Sequence, residues 1–410
     1  NDPECRPSLI RELDCELVIL QAGSREELRG AAVRLGEYVQ RAPTVALRDV
    51  AWSTWNSRQG GSHVLSMIAS SLPDLGAKLA RAARALADPS VKQIKDAKGL
   101  YYFEESPVRG GKIAFVFPGE GAQYLNMMAD LCIHFPEVRA FFDAADRAVD
   151  GAGRYPPSAD IFPPPLLSAD ELKAAEKRLW RIERATEAVL TADGAMYLLL
   201  QRLGVVPDMA TVHSAGEWVA MAASGILDFD EFVASAPRLD AVYGGLSQDR
   251  SVPKAAMLAV GAGRDQVIRL VGEIDKTVHV ANDNCPHQVV IVTATQDAEP
   301  VMKHLQARGV FVELLPYDRG YHTPVFTYIC EPLRSYFSSL KISAPNVLLY
   351  SSTTAEPYPN DPAVILETVS QTFAKPLLFR QTIEAMYDRG ARIFLEVGPR
   401  GILTGFIDAI

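Results

Sequence analysis

Two short stretches of this sequence carry residues able to do nucleophilic chemistry. In Val212-His-Ser-Ala-Gly-Glu217 the apolar run Met209-Ala-Thr-Val ends on a serine among small residues, and a helical pattern follows. A sharp strand-to-helix turn of this kind exposes a serine hydroxyl and leaves backbone N–H groups open. Ser214 is the candidate nucleophile. The N–H of Ala215, at the helix start, can meet a developing oxyanion, and Gly216 lets helix and strand approach closely. A G-x-S-x-G pattern would put glycine where Val212 stands. The second stretch, Pro118-Gly-Glu-Gly-Ala122, leaves another apolar strand, and an amide at Glu120 is the candidate second oxyanion donor. Neither a GxGxxG pattern nor a Walker lysine accompanies it, which argues against phosphate binding.

A serine hydroxyl needs a base within hydrogen-bond reach. Of the seven histidines, His213 adjoins the serine, but neighbours at an elbow point apart, so a packed role is expected for it. His322 lies in the turn-rich Asp318-Arg-Gly-Tyr-His-Thr-Pro324, where the chain re-enters the larger fold, and is the better candidate base.

The elements around these residues read as α/β. Glu16 to Ser24 is a short strand whose end, Ser24-Arg-Glu-Glu27, supplies a helix N-cap and acidic first turn. Further short elements and a second capped helix after Ser71 complete a small α/β unit. From Gly111 the continuous apolar strand Lys-Ile-Ala-Phe-Val-Phe117 runs into the glycine-rich turn. Residues 151–165, rich in Pro, Gly and Ser, read as a surface loop, and Asp170 to Leu203 as helical. Four strands, Lys254–Val260, Thr277–Asn282, Gln288–Thr293 and Val310–Leu315, with helical stretches from Arg264 and Ala298, give the order βαββαβ of a ferredoxin-like unit. The boundaries expected are 1–108, 109–250, 251–317 and 318–410.

A net charge of −9 leaves no basic field for a phosphate backbone, so nucleic acid is an unexpected partner. Five scattered cysteines without a CxxC pair argue against a disulfide framework and a structural metal site, and fit a reducing cytoplasm. No apolar run is long enough to span a membrane, and the opening residues lack the order of a signal peptide. The start without methionine suggests a piece of a longer polypeptide.

Taken together, Phe117-Pro-Gly-Glu-Gly-Ala-Gln123, His213-Ser-Ala-Gly-Glu217, Asn284-Cys-Pro-His-Gln-Val-Val290, Tyr321-His-Thr-Pro324 and Glu396-Val-Gly-Pro399 occur in the order in which they stand in the acyltransferases that load malonyl groups in polyketide and fatty-acid synthesis. Residues 111–410 resemble that family, and residues 16–108 resemble the linker that joins a ketosynthase to such a domain. The resemblance implies an α/β-hydrolase-like large domain with a parallel sheet, an inserted ferredoxin-like subdomain and an N-terminal α/β linker domain. It also implies ping-pong transfer: Ser214, deprotonated by His322, attacks an acyl-CoA such as malonyl-CoA, and the phosphopantetheine thiol of an acyl carrier protein takes the acyl group. No metal or redox cofactor is implied. The partners would be the carrier protein and a ketosynthase of the same polypeptide. By the same carry-over the amides of Glu120 and Ala215 form the oxyanion hole, a backbone carbonyl or amide side chain near Gln371 or Thr372 orients His322, and Asn284 and Gln288 line the pocket.

The sequence departs from the family at the residue that holds a malonyl carboxylate. The family's arginine falls on Leu239, with Arg238 one position off, roughly 100° around a helix. Three readings stay open: Pro237 shifts the register so that Arg238 serves, Arg319 takes over, or the acyl group is uncharged, as in acetyl loading. Tyr321 before the base resembles the malonyl-type signature and crowds an α-methyl branch. Glu120 replaces the usual glutamine, and Thr186 stands where another is common. Two further alternatives are a serine thioesterase or editing hydrolase, and an inactive scaffold domain of a megasynthase.

Overall fold

The computed structural model describes residues 13–58, 60–105, 110–149, 155–248 and 253–410. The expected boundaries at 108/109 and 250/251 lie outside the described residues. The chain falls into two compact units that meet in sequence at Gly110 and Gly111.

In the first unit, β1 (Glu16–Ala22), β2 (His63–Ala69), β3 (Gln93–Asp96) and β4 (Leu100–Phe103) form an antiparallel sheet in the order β1-β2-β4-β3. Helices Arg25–Arg41 and Leu72–Ala87 start at Ser24 and Ser71, whose side chains accept from the amides of Glu27 and Asp74. At Ser24 the Glu27 carboxylate returns the bond to the cap amide, so two otherwise orphaned donors are satisfied. Leu28, Leu65, Leu75, Leu79, Leu100 and Tyr102 close the core between helices and sheet.

The second unit contains β5 (Lys112–Phe117), β6 (Met209–Val212), β7 (Ala255–Val260), β8 (Val278–Cys285), β9 (Gln288–Ala294), β10 (Val312–Leu314), β11 (Leu348–Leu349) and β12 (Ala391–Glu396). Its main sheet is parallel, in the order β11-β6-β5-β12. Ala114 to Phe117 and all of β6 are buried, as expected for central strands covered on both faces. In open parallel sheets, ligands bind beyond the carboxyl ends of the strands, and here those ends deliver the Pro118 turn after β5 and Ser214 after β6.

The segment between β6 and β11 forms an antiparallel sheet, β10-β7-β9-β8, with helices Arg264–Val271 and Ala298–Gln306, which is the topology of a ferredoxin-like unit. It is stitched to the main fold by backbone bonds from Asp283 N to Leu377 O and from Leu377 N to Ala281 O, each 2.8 Å. The buried Asp283 carboxylate reinforces that seam by accepting from Arg380 and Gln381.

Two local expectations need correction. Residues 155–165 are not all loop: Pro157–Ile161 is a short helix with Pro157 and Ile161 buried, because proline fits the first turn of a helix, where its missing N–H is not needed. Residues 151–154 lie outside the described residues. The long helical pattern is two helices, Ala169–Leu179 and Ile182–Arg202, parted at Trp180 and Arg181. No helix among the described residues is long and apolar enough to cross a membrane.

Candidate active site

Ser214 sits at the turn between β6 and the helix Glu217–Ala223, with φ of 55°. That left-handed backbone is unfavourable for a residue with a Cβ, so the surrounding contacts must hold it. They do so from both sides of the turn. The His213 amide donates to Phe117 O (2.8 Å) and the Gly216 amide to His213 O (3.2 Å). A Cβ on Gly216 would stand 2.5 Å from the carbonyl oxygens of Phe117 and Pro118, so glycine alone lets the helix start against β5. Gly119 meets the same demand from the other turn: a Cβ there would lie 2.5 Å from His213 O and 3.1 Å from Ala215 N. Val212, where the elbow pattern wants glycine, is a fully buried strand residue paired with Phe117.

His322 Nε2 lies 2.8 Å from Ser214 Oγ. Its Nδ1 is 3.2 Å from the carbonyl oxygen of Thr372, so Nδ1–H donates there and the Nε2 lone pair faces the serine hydroxyl. The His322 amide bonds Phe373 O at 2.7 Å, and the ring stacks on Phe373 at 5.1 Å between centroids. His322 also has a positive φ, 61°, so both reacting residues are held in a conformation that only their surroundings sustain. Burial, with the His213 ring adding to it, pulls the imidazole down to about 3, which keeps it neutral and ready to accept a proton.

Ser214 and His322 open into a cleft of about 290 Å³. Its walls are the two turns on one side and one face of the small sheet on the other, where Met257 and Ala259, Asn282 and Asn284, and Gln288 and Val290 alternate along β7, β8 and β9. Asn284 Nδ2 donates to Gln288 Oε1 (2.7 Å), while its Oδ1 accepts from His213 Nε2–H (2.9 Å). This pins the His213 ring, which lines the cleft edge-on to Phe379 and is kept neutral by burial. Tyr321 and Glu120 line the cleft as well.

Three sequence expectations are corrected here. Gln371 does not reach the base, since its amide donates to Glu367 within the helix end; of the two residues named, Thr372 holds the imidazole, through its main chain. Arg238 does not face the cleft. The helix Phe229–Gln248 continues through Pro237 without a register shift, Leu239 points inward at 2% exposure, and Arg238 points out to Ser339 Oγ (3.1 Å) over the Tyr336 ring. Arg319 is buried beside the cleft rather than in it, with its guanidinium on the carbonyl (3.1 Å) and carboxylate (2.9 Å) of Asp318.

Sequence reasoning missed Trp180, Tyr317, Phe373 and the apolar residues of the small sheet that line the cleft. β7 and β9 read as near-continuous apolar runs, and such runs do not tell which face is the open one.

The family of acyl transferase domains matches residues 114–408. A malonyl CoA-acyl carrier protein transacylase of Bacillus subtilis is 26% identical over 307 residues, covering 73% of this chain and 90% of that protein. A phenolphthiocerol synthesis polyketide synthase of Mycobacterium bovis is 30% identical over 391 residues, covering 95% of this chain and 17% of that protein. The chain spans only 11% of another relative, a polyunsaturated fatty acid synthase polypeptide of Thraustochytrium. Among solved structures, the acyltransferase domain from module 8 of the salinomycin polyketide synthase superposes with a TM-score of 0.78 at 19% identity, over 97% of this chain and 88% of that one. A malonyl CoA-acyl carrier protein transacylase of Clostridium perfringens gives 0.63 at 26% identity, over 73% of this chain and 90% of that one.

Proposed function

The chain belongs to the acyl transferase domain family, and from that premise we propose that it moves an acyl group from acyl-CoA to the phosphopantetheine thiol of an acyl carrier protein through an ester on Ser214. The observation that carries the reading is the series Ser214 Oγ, His322 Nε2, His322 Nδ1 and Thr372 O, with contacts of 2.8 and 3.2 Å at its two ends. In the first half-reaction the serine oxygen bonds the thioester carbon as its proton passes to Nε2, and the C–S bond then breaks. The departing CoA sulfur takes that proton. The carrier thiol reverses these steps and frees the serine. The Thr372 carbonyl supports the imidazolium that forms in between, so the group works as a dyad with a main-chain anchor. The amides of Glu120 and Ala215 are the oxyanion donors in this reading.

The two-unit organisation supports a place in a larger synthase, with the first unit as the linker from a ketosynthase: the synthase relative from Mycobacterium bovis matches across 95% of the chain. Malonyl is the first donor to test, because it stands in the names of the transacylase relatives and because Tyr321 narrows the cleft beside the base. A second reading, transfer of an uncharged acyl group, is favoured by one observation: among the described residues, no arginine or lysine lines the cleft. Intact-protein mass spectrometry after brief incubation with acyl-CoA is the test. An acyl adduct present on the native chain and absent from Ser214→Ala is the expected result, and normal labelling of the variant would overturn the reading.

A further inference from the structure

Given an acyl-enzyme on Ser214, we propose that the Glu120 side chain is a selectivity residue: its carboxyl lines the cleft beside the nucleophile and works against donors whose acyl group carries a free carboxylate. The residue leaves the Pro118–Ala122 turn, which Gly119 allows to press against the elbow, and its side chain folds back toward the serine. One carboxyl oxygen accepts from Thr186 Oγ1 at 2.7 Å. The carboxyl lines the same cleft as Ser214 and His322. A carboxyl group therefore stands in the wall of the space that the acyl group must enter.

Among the described residues no lysine or arginine lines the cleft to pair with this carboxyl; Thr186 is its hydrogen-bond partner, and the phenols of Tyr317 and Tyr321 stand in the same wall. Burial opposes ionisation and raises the carboxyl above its ordinary range. Beyond the Thr186 bridge lies a second cavity, about 30 Å³, whose walls include Phe141, Leu190, Phe232, Leu239 and Tyr243. Thr186, Glu187 and Thr191 line it as well, and among the described residues no lysine or arginine does.

A malonyl group brings a second negative charge into this space. Two like charges a few ångströms apart in a partly buried site disfavour the charged donor by on the order of ten-fold or more. An acetyl group, or a malonyl group whose carboxylate is methylated, brings no second charge. Glu120→Gln keeps the size of the side chain and the acceptor for Thr186 while removing the charge.

The test measures the rate of Ser214 labelling by intact mass with three donors: malonyl-CoA, its carboxylate methyl ester and acetyl-CoA. The native chain is expected to label on the order of ten-fold faster with the methyl ester than with malonyl-CoA, and Glu120→Gln is expected to bring the two together. The native-chain comparison needs no variant to fold. Faster labelling by malonyl-CoA than by its ester in the native chain, or an ester-to-malonyl ratio that Glu120→Gln leaves unchanged, overturns the proposal. Absence of labelling by all three donors instead overturns the acyl-enzyme reading on which it rests.

Discussion

Glu217 opens the helix behind the nucleophile and has no solvent exposure. Tyr358 Oη donates to one carboxyl oxygen, and the other oxygen is buried without a hydrogen-bond partner. Burial pushes the group up to about 7 from its ordinary 4.5, with the tyrosine bond pulling the other way. Between those values the folded chain keeps a proton that the unfolded chain has released, so stability is full below pH 4.5 and drains away as pH rises through 7. The gap corresponds to roughly 3 kcal/mol at full ionisation, of which about 2 kcal/mol falls between about pH 5.5 and 8.5. Glu217→Gln stays neutral and keeps an acceptor for Tyr358, so it matches the protonated native side chain at low pH and avoids the ionisation at high pH. Urea unfolding at the two pH values, followed by the fluorescence of the buried Trp218, reads the difference. The variant's stability relative to the native chain is expected to improve by about 2 kcal/mol from the lower pH to the higher. A difference that stays constant across that range would refute the argument.

Two further outcomes follow from the site. Because burial holds His322 down to about 3, Ser214 acylation by acetyl-CoA in the Glu120→Gln background should show no histidine inflection near pH 6.5; a tenfold fall in the rate from about pH 7.5 to 5.5 would mean that the base titrates like an exposed imidazole. Arg238→Ala should leave malonyl labelling within about two-fold of the native rate, since its guanidinium bonds Ser339 on the outer face of its helix; a loss of ten-fold or more would show that it reaches the acyl group.

In the sequence, Ser214 and Gly216 stood out only as a strand-to-helix turn of small residues, which is a weak signal by itself; the five ordered motifs that resemble the acyltransferases were what paired Ser214 with His322. The helix period likewise separated Leu239 from Arg238: one residue turns the side chain by roughly 100°, and the structure keeps that rotation through Pro237. Thr372 was only half legible, because a main-chain carbonyl has no residue-type signature, and Gln371 looked the equal candidate until its amide was found on Glu367.

Glu120 was hardest to read, because the sequence-level argument concerned its amide and was silent on where its carboxyl would go. A glutamate at a turn flanked by glycines is ordinarily a solvated residue, and nothing in the local pattern says that the chain bends it back. What bends it back is long-range: Thr186, 66 residues away, offers a hydroxyl at 2.7 Å, and Gly119 brings the turn against the elbow that supplies Ala215. The side chain at position 120 thus shares the cleft with Ser214, and a charge on it is met by any donor that enters. In the proposed reading the step from glutamine to glutamate changes the chemistry of the site without changing its outline: both side chains keep an acceptor for Thr186, and only the glutamate can set a like charge against a donor carboxylate.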